Sequence, residues 1–239
     1  MNGRRVSIQE RLKRYFSLIS VIPALILSMW AQFRVSSTFS RFSKVRASSG
    51  MTATQMAEQL LHAEGVYDVS VERTRGNLTD HYDPKNMVLR LSDSTANSTS
   101  VAALGVAAHE AGHVLQHRDG YAPLMLRTAA VPVVNIGSNL SWPLFLVGII
   151  VSWEPLVYAG IALFALAVLF ALITLPVEFN ASKRALAALE ANGYLQPGEE
   201  MRGARKVLSA AAMTYVASAF MAIMQLLRLL AIAGARRDD

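Results

Sequence analysis

Cysteine is absent from the 239 residues. That excludes disulfides and thiolate metal ligands, so a metal held by this chain would have to be held by histidine and carboxylate. Charge is scarce as well. Asp, Glu, Lys and Arg make up 17% of the chain, where an ordinary soluble domain carries nearer a quarter. Hydrophobic residues reach 53% and the mean hydropathy is +0.32. These residues are bunched into long runs instead of alternating with helical or strand period, which excludes a simple soluble globule and points to the bilayer. The formal charge of +6 does not imply nucleic acid, because the basic residues flank apolar segments in the manner of cytoplasmic membrane loops. Histidine numbers only five, and three of those lie within VAAHEAGHVLQH, residues 106–117.

Four apolar stretches are long enough to consider as membrane segments, at residues 17–33, 128–153, 156–177 and 207–233. The first is of minimal length, with Gln32 as its strongly polar group, and follows a basic start; lacking a small-x-small cleavage site, it reads as an uncleaved anchor. The second is mixed, holding Pro132, Asn135, Ser138, Asn139 and Ser141. Asn135, Ser138 and Asn139 share a helix face expected to look into the bundle or onto the site's rim, not to lipid. The third is cleanly apolar. The fourth is rich in small residues suited to close packing, and Arg228 near its end can snorkel. Glu154-Pro155 reads as a tight hairpin without Lys or Arg, hence outside. The segments 34–127 and 178–206 then share the inner side, with 15 of the 23 Lys and Arg residues between them. Arg4, Arg5, Arg11, Lys13 and Arg14 oppose that orientation if the first stretch spans.

The expected organisation is a basic extension over 1–16, a first membrane segment over 17–33, and a cytoplasmic α+β unit over 34–127. A membrane hairpin over 128–177, a cytoplasmic segment over 178–206, a last membrane helix over 207–233 and a tail over 234–239 follow. The fold class is therefore a mostly α membrane protein, with about four membrane-associated helices and a small zincin-like α+β unit.

Within that unit, Thr52 and Gln55 make a capping box at the start of a helix that Gly65 stops. Val69 and Val71 alternate with polar neighbours as in a half-buried strand. Met87 to Ser92 reads as a further strand after the turn DPKN, expected at a sheet edge where an extended peptide could add. Hydroxyls in NSTS, residues 97–100, then cap an Ala-rich helix running to about Arg118.

That helix carries His109-Glu110-Ala111-Gly112-His113. Histidines at i and i+4 project from one face and can reach a single tetrahedral zinc. Glu110 is turned about 100° away, beside the metal and placed to take the proton of a water that the metal acidifies. Gly112 keeps the surface narrow. His117 lies two turns beyond His109, about 12 Å along the axis, too far to join one zinc with both other histidines.

A hydrolytic zinc site wants a third protein ligand. Asp119 is too close in sequence to fold back easily, Glu154 sits at the opposite membrane face, and Glu199 and Glu200 read as a solvated loop. Glu178 emerges from the third apolar stretch on the HExxH side, where a carboxylate is costly unless metal-bound or paired, for instance with Lys183 or Arg184. Glu178 is the choice. His81, Tyr82 and Tyr121 are candidate donors to an oxyanion.

The runs WAQFRVSSTFSRFSKVRASSG, LTDHYDP, GVAAHEAGHVLQH, VPVVNIGSNLSWP and TLPVEFNASKRAL resemble the YugP-type family of membrane zinc metallopeptidases, in order, from about Ile22 to Ile232. The resemblance implies zinc as cofactor, His109 and His113 as ligands, Glu110 as the catalytic glutamate, and Glu178 as the acidic residue of the downstream motif. More distantly the chain is similar to HtpX-type and CAAX-processing membrane peptidases. There the downstream motif reads ExxxD, whereas here position i+4 from Glu178 is Ser182. If that aspartate orients a zinc histidine, Ser182 would do so weakly.

The expected activity is therefore a multi-pass plasma-membrane zinc endopeptidase with its site on the cytoplasmic face, acting on peptide or protein substrates that can include membrane proteins. The alternatives are an intramembrane protease of the site-2 type, which would need HExxH inside a span and an LDG motif, and a zinc transporter or idle zinc scaffold.

Overall fold

The computed structural model describes residues 21–237. The extension expected over 1–16, and the start of the first apolar stretch, lie outside the described residues. The chain forms two compact units, each assembled from separated segments.

One unit gathers residues 31–125 and 175–214, close to the segments 34–127 and 178–206 that were expected to share one side of a membrane. Its helix α2, Ala53–Ala63, starts at the capping box read from the sequence. Thr52 Oγ1 accepts from the Gln55 N–H at 3.2 Å, and Gln55 Oε1 accepts from the Thr52 N–H at 3.0 Å. Met56, Ala57, Leu60 and Leu61 form its buried face, and Gly65 ends it at φ +75°, a left-handed value that glycine adopts without steric cost. Strands β1 (Ser70–Thr74), β2 (His81–Asp83) and β3 (Val88–Ser92) make a sheet in the order β1-β3-β2. The β1–β3 pair is parallel, from Ser70 opposite Val88 to Thr74 opposite Ser92, and β2–β3 is antiparallel with Tyr82 opposite Leu89. Strand β3 is thus central, not an edge. The sequence reading missed β2 because three residues show no period; pairing alone makes them a strand. Asp83 closes the turn by accepting from the N–H groups of Lys85 and Asn86.

Helix α3, Val101–Arg118, is capped by Ser100, whose Oγ accepts from the Ala103 N–H. Buried along most of its length, it lies in a core with Leu60, Leu61, Leu89, Leu91 and Leu189. Glu199 and Glu200 are not in a loop. They open the long helix α6, Glu199–Arg237, where acidic groups suit the helix dipole. Glu200 also accepts from the N–H groups of Ser48 and Gln196 at 2.9 Å each.

The other unit holds residues 126–174 and 215–239 together with the segment up to Trp30, its described part beginning at residue 21. Helix α4, Ala122–Ile150, runs uninterrupted through Pro132 and Pro143. Asn135 and Asn139 lie on its exposed surface and do not face a bundle interior. The turn falls at residues 151–153, with Ser152 at φ +54°. Glu154 and Pro155 belong to the first turn of α5, Glu154–Ala191, where proline's missing N–H costs nothing. Phe145, Val157, Ile161 and Leu229 make the local core, while Leu146, Ile150, Leu169 and Leu172 are exposed. Such an apolar surface suits lipid.

Among the described residues, three helices are long and apolar enough to cross a membrane: α4, α5 and the part of α6 from Glu199 to Gly234. The fourth expected segment does not join them. Its described part begins α1, Ile22–Phe42, and that helix continues beyond the apolar run through Arg34, Ser36, Ser37 and Thr38 to Arg41.

Candidate metal centre

Helices α3 and α5 approach so closely that a Cβ at Gly112 would lie 2.5 Å from the Ala181 carbonyl oxygen and 3.1 Å from its carbon. No side chain fits between them at that point. On α3, His109 stands three residues before this contact and His113 directly after it, their rings edge to face at 4.9 Å. On α5, Glu178 lies three residues before Ala181 and is 2% exposed. The structure therefore brings together the three residues that the sequence singled out. Glu178 Oε2 is 3.1 Å from His109 Nε2 and 3.6 Å from His113 Nε2, and the three possible ligand atoms lie within 4.8 Å of one another.

The donor set fits zinc. Ligands about 2.1 Å from a tetrahedral centre sit about 3.4 Å apart, between the two separations found here. Two imidazoles and one carboxylate leave a fourth position for the substrate or water of a hydrolytic site. The other ring nitrogens are already engaged. His113 Nδ1 is 3.0 Å from Gln116 Oε1, and His109 Nδ1 is 3.1 Å from Ser182 Oγ. An amide oxygen can only accept, so His113 carries a proton on Nδ1, which leaves Nε2 as the ring atom that can turn to a metal. Burial opposes charging of His113, but the hydrogen bond and charge of Glu178 and the charge of Glu110 outweigh it, and its pKa lies above the ordinary value.

Gln116 was missed in the sequence reading. It is fully buried, and its amide nitrogen donates to the Val177 carbonyl at 2.8 Å and to Asn180 Oδ1 at 3.0 Å. One side chain thereby ties His113 to the stretch of α5 that carries Glu178. The available signal was a lone amide three residues after His113, on a helix otherwise lined with alanine and apolar groups there. Asn180 Oδ1 also accepts from Arg184 Nε, and Arg184 pairs with Asp119. Asp119, held below its ordinary pKa by hydrogen bonds from Arg118 and Arg184, is committed to that contact, and Arg184 is not Glu178's partner.

Glu110 is half-buried and among the described residues makes no side-chain hydrogen bond, so its carboxylate is available. The remaining candidates are engaged locally. His81 Nδ1 is 2.9 Å from the Thr79 carbonyl. Tyr82 and His117 share a hydrogen bond of 2.8 Å between the phenol and Nδ1, so His117 is part of a contact between α3 and β2. Burial, then Asp68 and Asp83, push the Tyr82 phenol up to about 12. The Tyr121 hydroxyl reaches towards the Pro176 carbonyl at 3.5 Å.

A family model described as "Putative neutral zinc metallopeptidase" matches residues 17–234. The chain belongs to this family. A relative in Bacillus subtilis (strain 168), called "Putative membrane protease YugP", is 50% identical over 218 residues, which cover 91% of this chain and 96% of that protein. The YugP-type resemblance read from the motifs is therefore a family membership. No solved structure matches the chain. The zinc of the family's description agrees with a site of two imidazoles and a buried carboxylate.

Proposed function

We propose that this member of the family is a membrane-anchored zinc endopeptidase, hydrolysing peptide bonds at the cytoplasmic face of the plasma membrane. The observation that carries the reading is the approach of Glu178 Oε2 to within 3.1 and 3.6 Å of the two Nε2 atoms, with both Nδ1 atoms tied down behind them. His109, His113 and Glu178 would hold the ion. Zinc bound there supplies Lewis acidity, which makes water a nucleophile near neutral pH and polarises a peptide carbonyl.

The chain's own groups do the rest. Glu110 takes the proton of the attacking water and returns it to the departing amine, a role usually worth about 10²–10⁴ in rate. Gln116 and Ser182 fix the two rings, so ring reorientation does not have to be repeated in each cycle. The cytoplasmic assignment rests on the basic residues of 34–127 and 178–206 and their absence from the turn at 151–153. An intramembrane protease of the site-2 type is less well supported, because α3 is not among the helices apolar enough to span.

The test is metal analysis and casein proteolysis on detergent-purified protein, with and without chelator, for wild type, Glu110→Gln and Glu178→Ala. Wild type should contain about one zinc per chain and show chelator-sensitive cleavage. Glu110→Gln should keep the zinc and lose about 10²–10⁴ of the rate, and Glu178→Ala should lose both. An active Glu110→Gln protein would overturn the hydrolase reading in favour of a transporter or scaffold. An active, zinc-loaded Glu178→Ala protein would send the third ligand to another acid of the soluble segment, Asp119 being tied to Arg118 and Arg184.

A further inference from the structure

Beside the metal centre, α5 and α6 part to leave a groove of about 440 Å³, within the range of sites that hold small ligands or a few side chains. On α5 it is lined by one helix face, Phe179, Ser182, Leu186 and Ala187, and on α6 by Leu208, Ala212 and Met213. Leu208 and Ala212 are buried in its floor, while Phe179 remains 48% exposed. Lys183, Arg205 and Glu190 stand on the rim, two cations against one anion.

The groove adjoins the site through one residue. Ser182, one of its walls, is the residue whose hydroxyl meets His109 Nδ1, and Phe179 follows Glu178 directly. Along α5 its charged lining residues are Lys183, one turn from Phe179, and Glu190, two turns further on. We propose that this groove is the substrate-binding subsite that selects what is cleaved, seating an apolar stretch of polypeptide that carries acidic residues at one end. Its apolar side chains lie on the Leu186, Leu208 and Met213 floor, and its carboxylates meet Lys183 and Arg205. This assignment rests on the peptidase reading, so its test uses binding and not turnover.

Fluorescein-labelled peptides are titrated by anisotropy onto detergent-purified, zinc-loaded Glu110→Gln protein. The first carries four leucines followed by two aspartates, the second has serines for the leucines, and the third has lysines for the aspartates. The leucine–aspartate peptide should bind at least tenfold tighter than the serine peptide, the gain of burying roughly one leucine side chain, and tighter than the lysine peptide. Ala187→Trp places an indole in the groove from an exposed position and should remove the leucine preference at unchanged zinc content. Lys183→Glu with Arg205→Glu should reverse the aspartate–lysine preference while the leucine–serine difference persists. Equal affinities for the leucine and serine peptides, or a leucine preference surviving Ala187→Trp, would overturn the proposal. So would loss of that preference when the same protein is moved from detergent to anionic-lipid nanodiscs, because a phospholipid would then be the occupant. A wild-type protein that cleaves casein but shows no leucine preference keeps the peptidase reading and refutes the subsite; the reverse result keeps the subsite and refutes the peptidase.

Discussion

Replacing Gly112 by alanine adds one methyl group to the point where α3 and α5 touch. The new carbon would lie 2.5 Å from the Ala181 oxygen, 3.1 Å from its carbonyl carbon and 3.2 Å from its Cα. Ordinary van der Waals contact begins near 3.4 Å, so about 0.9 Å must be found. The obstacle is backbone, which has no rotamer to change, and the helices must separate. Alanine's better helix propensity returns at most about 1 kcal/mol, against about 1–3 kcal/mol for overpacking, so the net effect is destabilising. The larger effect falls on the metal. His109 and His113 travel with α3 and Glu178 with α5, and zinc–ligand distances tolerate only about 0.2 Å of error. Zinc affinity should fall at least tenfold to a hundredfold, measured by competition with a chromogenic chelator, with a lower melting temperature for the zinc-loaded protein. Gly105→Ala on the same helix is the control. Its Cβ would meet Ala204 at 3.6 Å, an ordinary contact, so stability should hold or rise and zinc affinity should not change. Wild-type zinc affinity in Gly112→Ala would refute the idea that this contact sets the ligand spacing.

Gln116→Leu keeps the bulk but strips the partners of His113 Nδ1, the Val177 carbonyl and Asn180. Isothermal titration with zinc should show affinity lower by about 10–100-fold, and denaturation of the metal-free protein should show a loss of about 1–3 kcal/mol for the stranded polar groups. Asp119→Asn reports on the tie from Asp119 to Arg118 and Arg184. Because the folded pKa lies below the ordinary 3.8, the contribution is complete above that value and lost as pH falls through the lowered one. The metal-free variant should melt slightly below wild type at pH 7, by under about 1 kcal/mol for so exposed a pair. The difference should shrink as the pH falls below 3.8 and the carboxylate is protonated; one that does not shrink assigns the effect to packing.

What could be read in advance was local. The capping box at Thr52 and Gln55, the stop at Gly65 and the span of α3 are decided by backbone groups within four residues, so their chemistry stands in contiguous letters. The histidine pair was readable for the same reason, since i and i+4 share a face in any α-helix. Glu178 was readable because a carboxylate ending an apolar run is expensive wherever it goes. The failures were relational. Strand β2 exists only because Tyr82 finds Leu89, which also makes β3 central. Gln116 matters because Val177, 61 residues away, presents a carbonyl to it. Glu154-Pro155 carried the hairpin's chemistry but sits one step inside α5, because glutamate and proline are better as the first turn of a helix than as its connection.

Ser182 bears on how the centre would work. An aspartate facing His109 Nδ1, as in the wider ExxxD pattern, would add a second negative charge behind the ligands, whereas a hydroxyl adds none. With neutral imidazoles, His109, His113 and Glu178 together contribute one negative charge, so a divalent ion among them keeps a net charge of about +1. That excess would make the ion a stronger acid towards water and a carbonyl, but a hydroxyl supports His109 as a ligand less than a carboxylate would, so the ion would be held less tightly. Affinity must then come from geometry, and the structure places its geometric constraints at the same spot. Gly112 sets the helix separation, Gln116 pins His113 to α5, and Ser182 orients His109 from the α5 side. A site that relies on spacing more than on charge should tolerate surface mutations well and changes at the α3–α5 contact poorly, which is why Gly112 and Gln116, neither of them a ligand, are the positions where this centre is most exposed to failure.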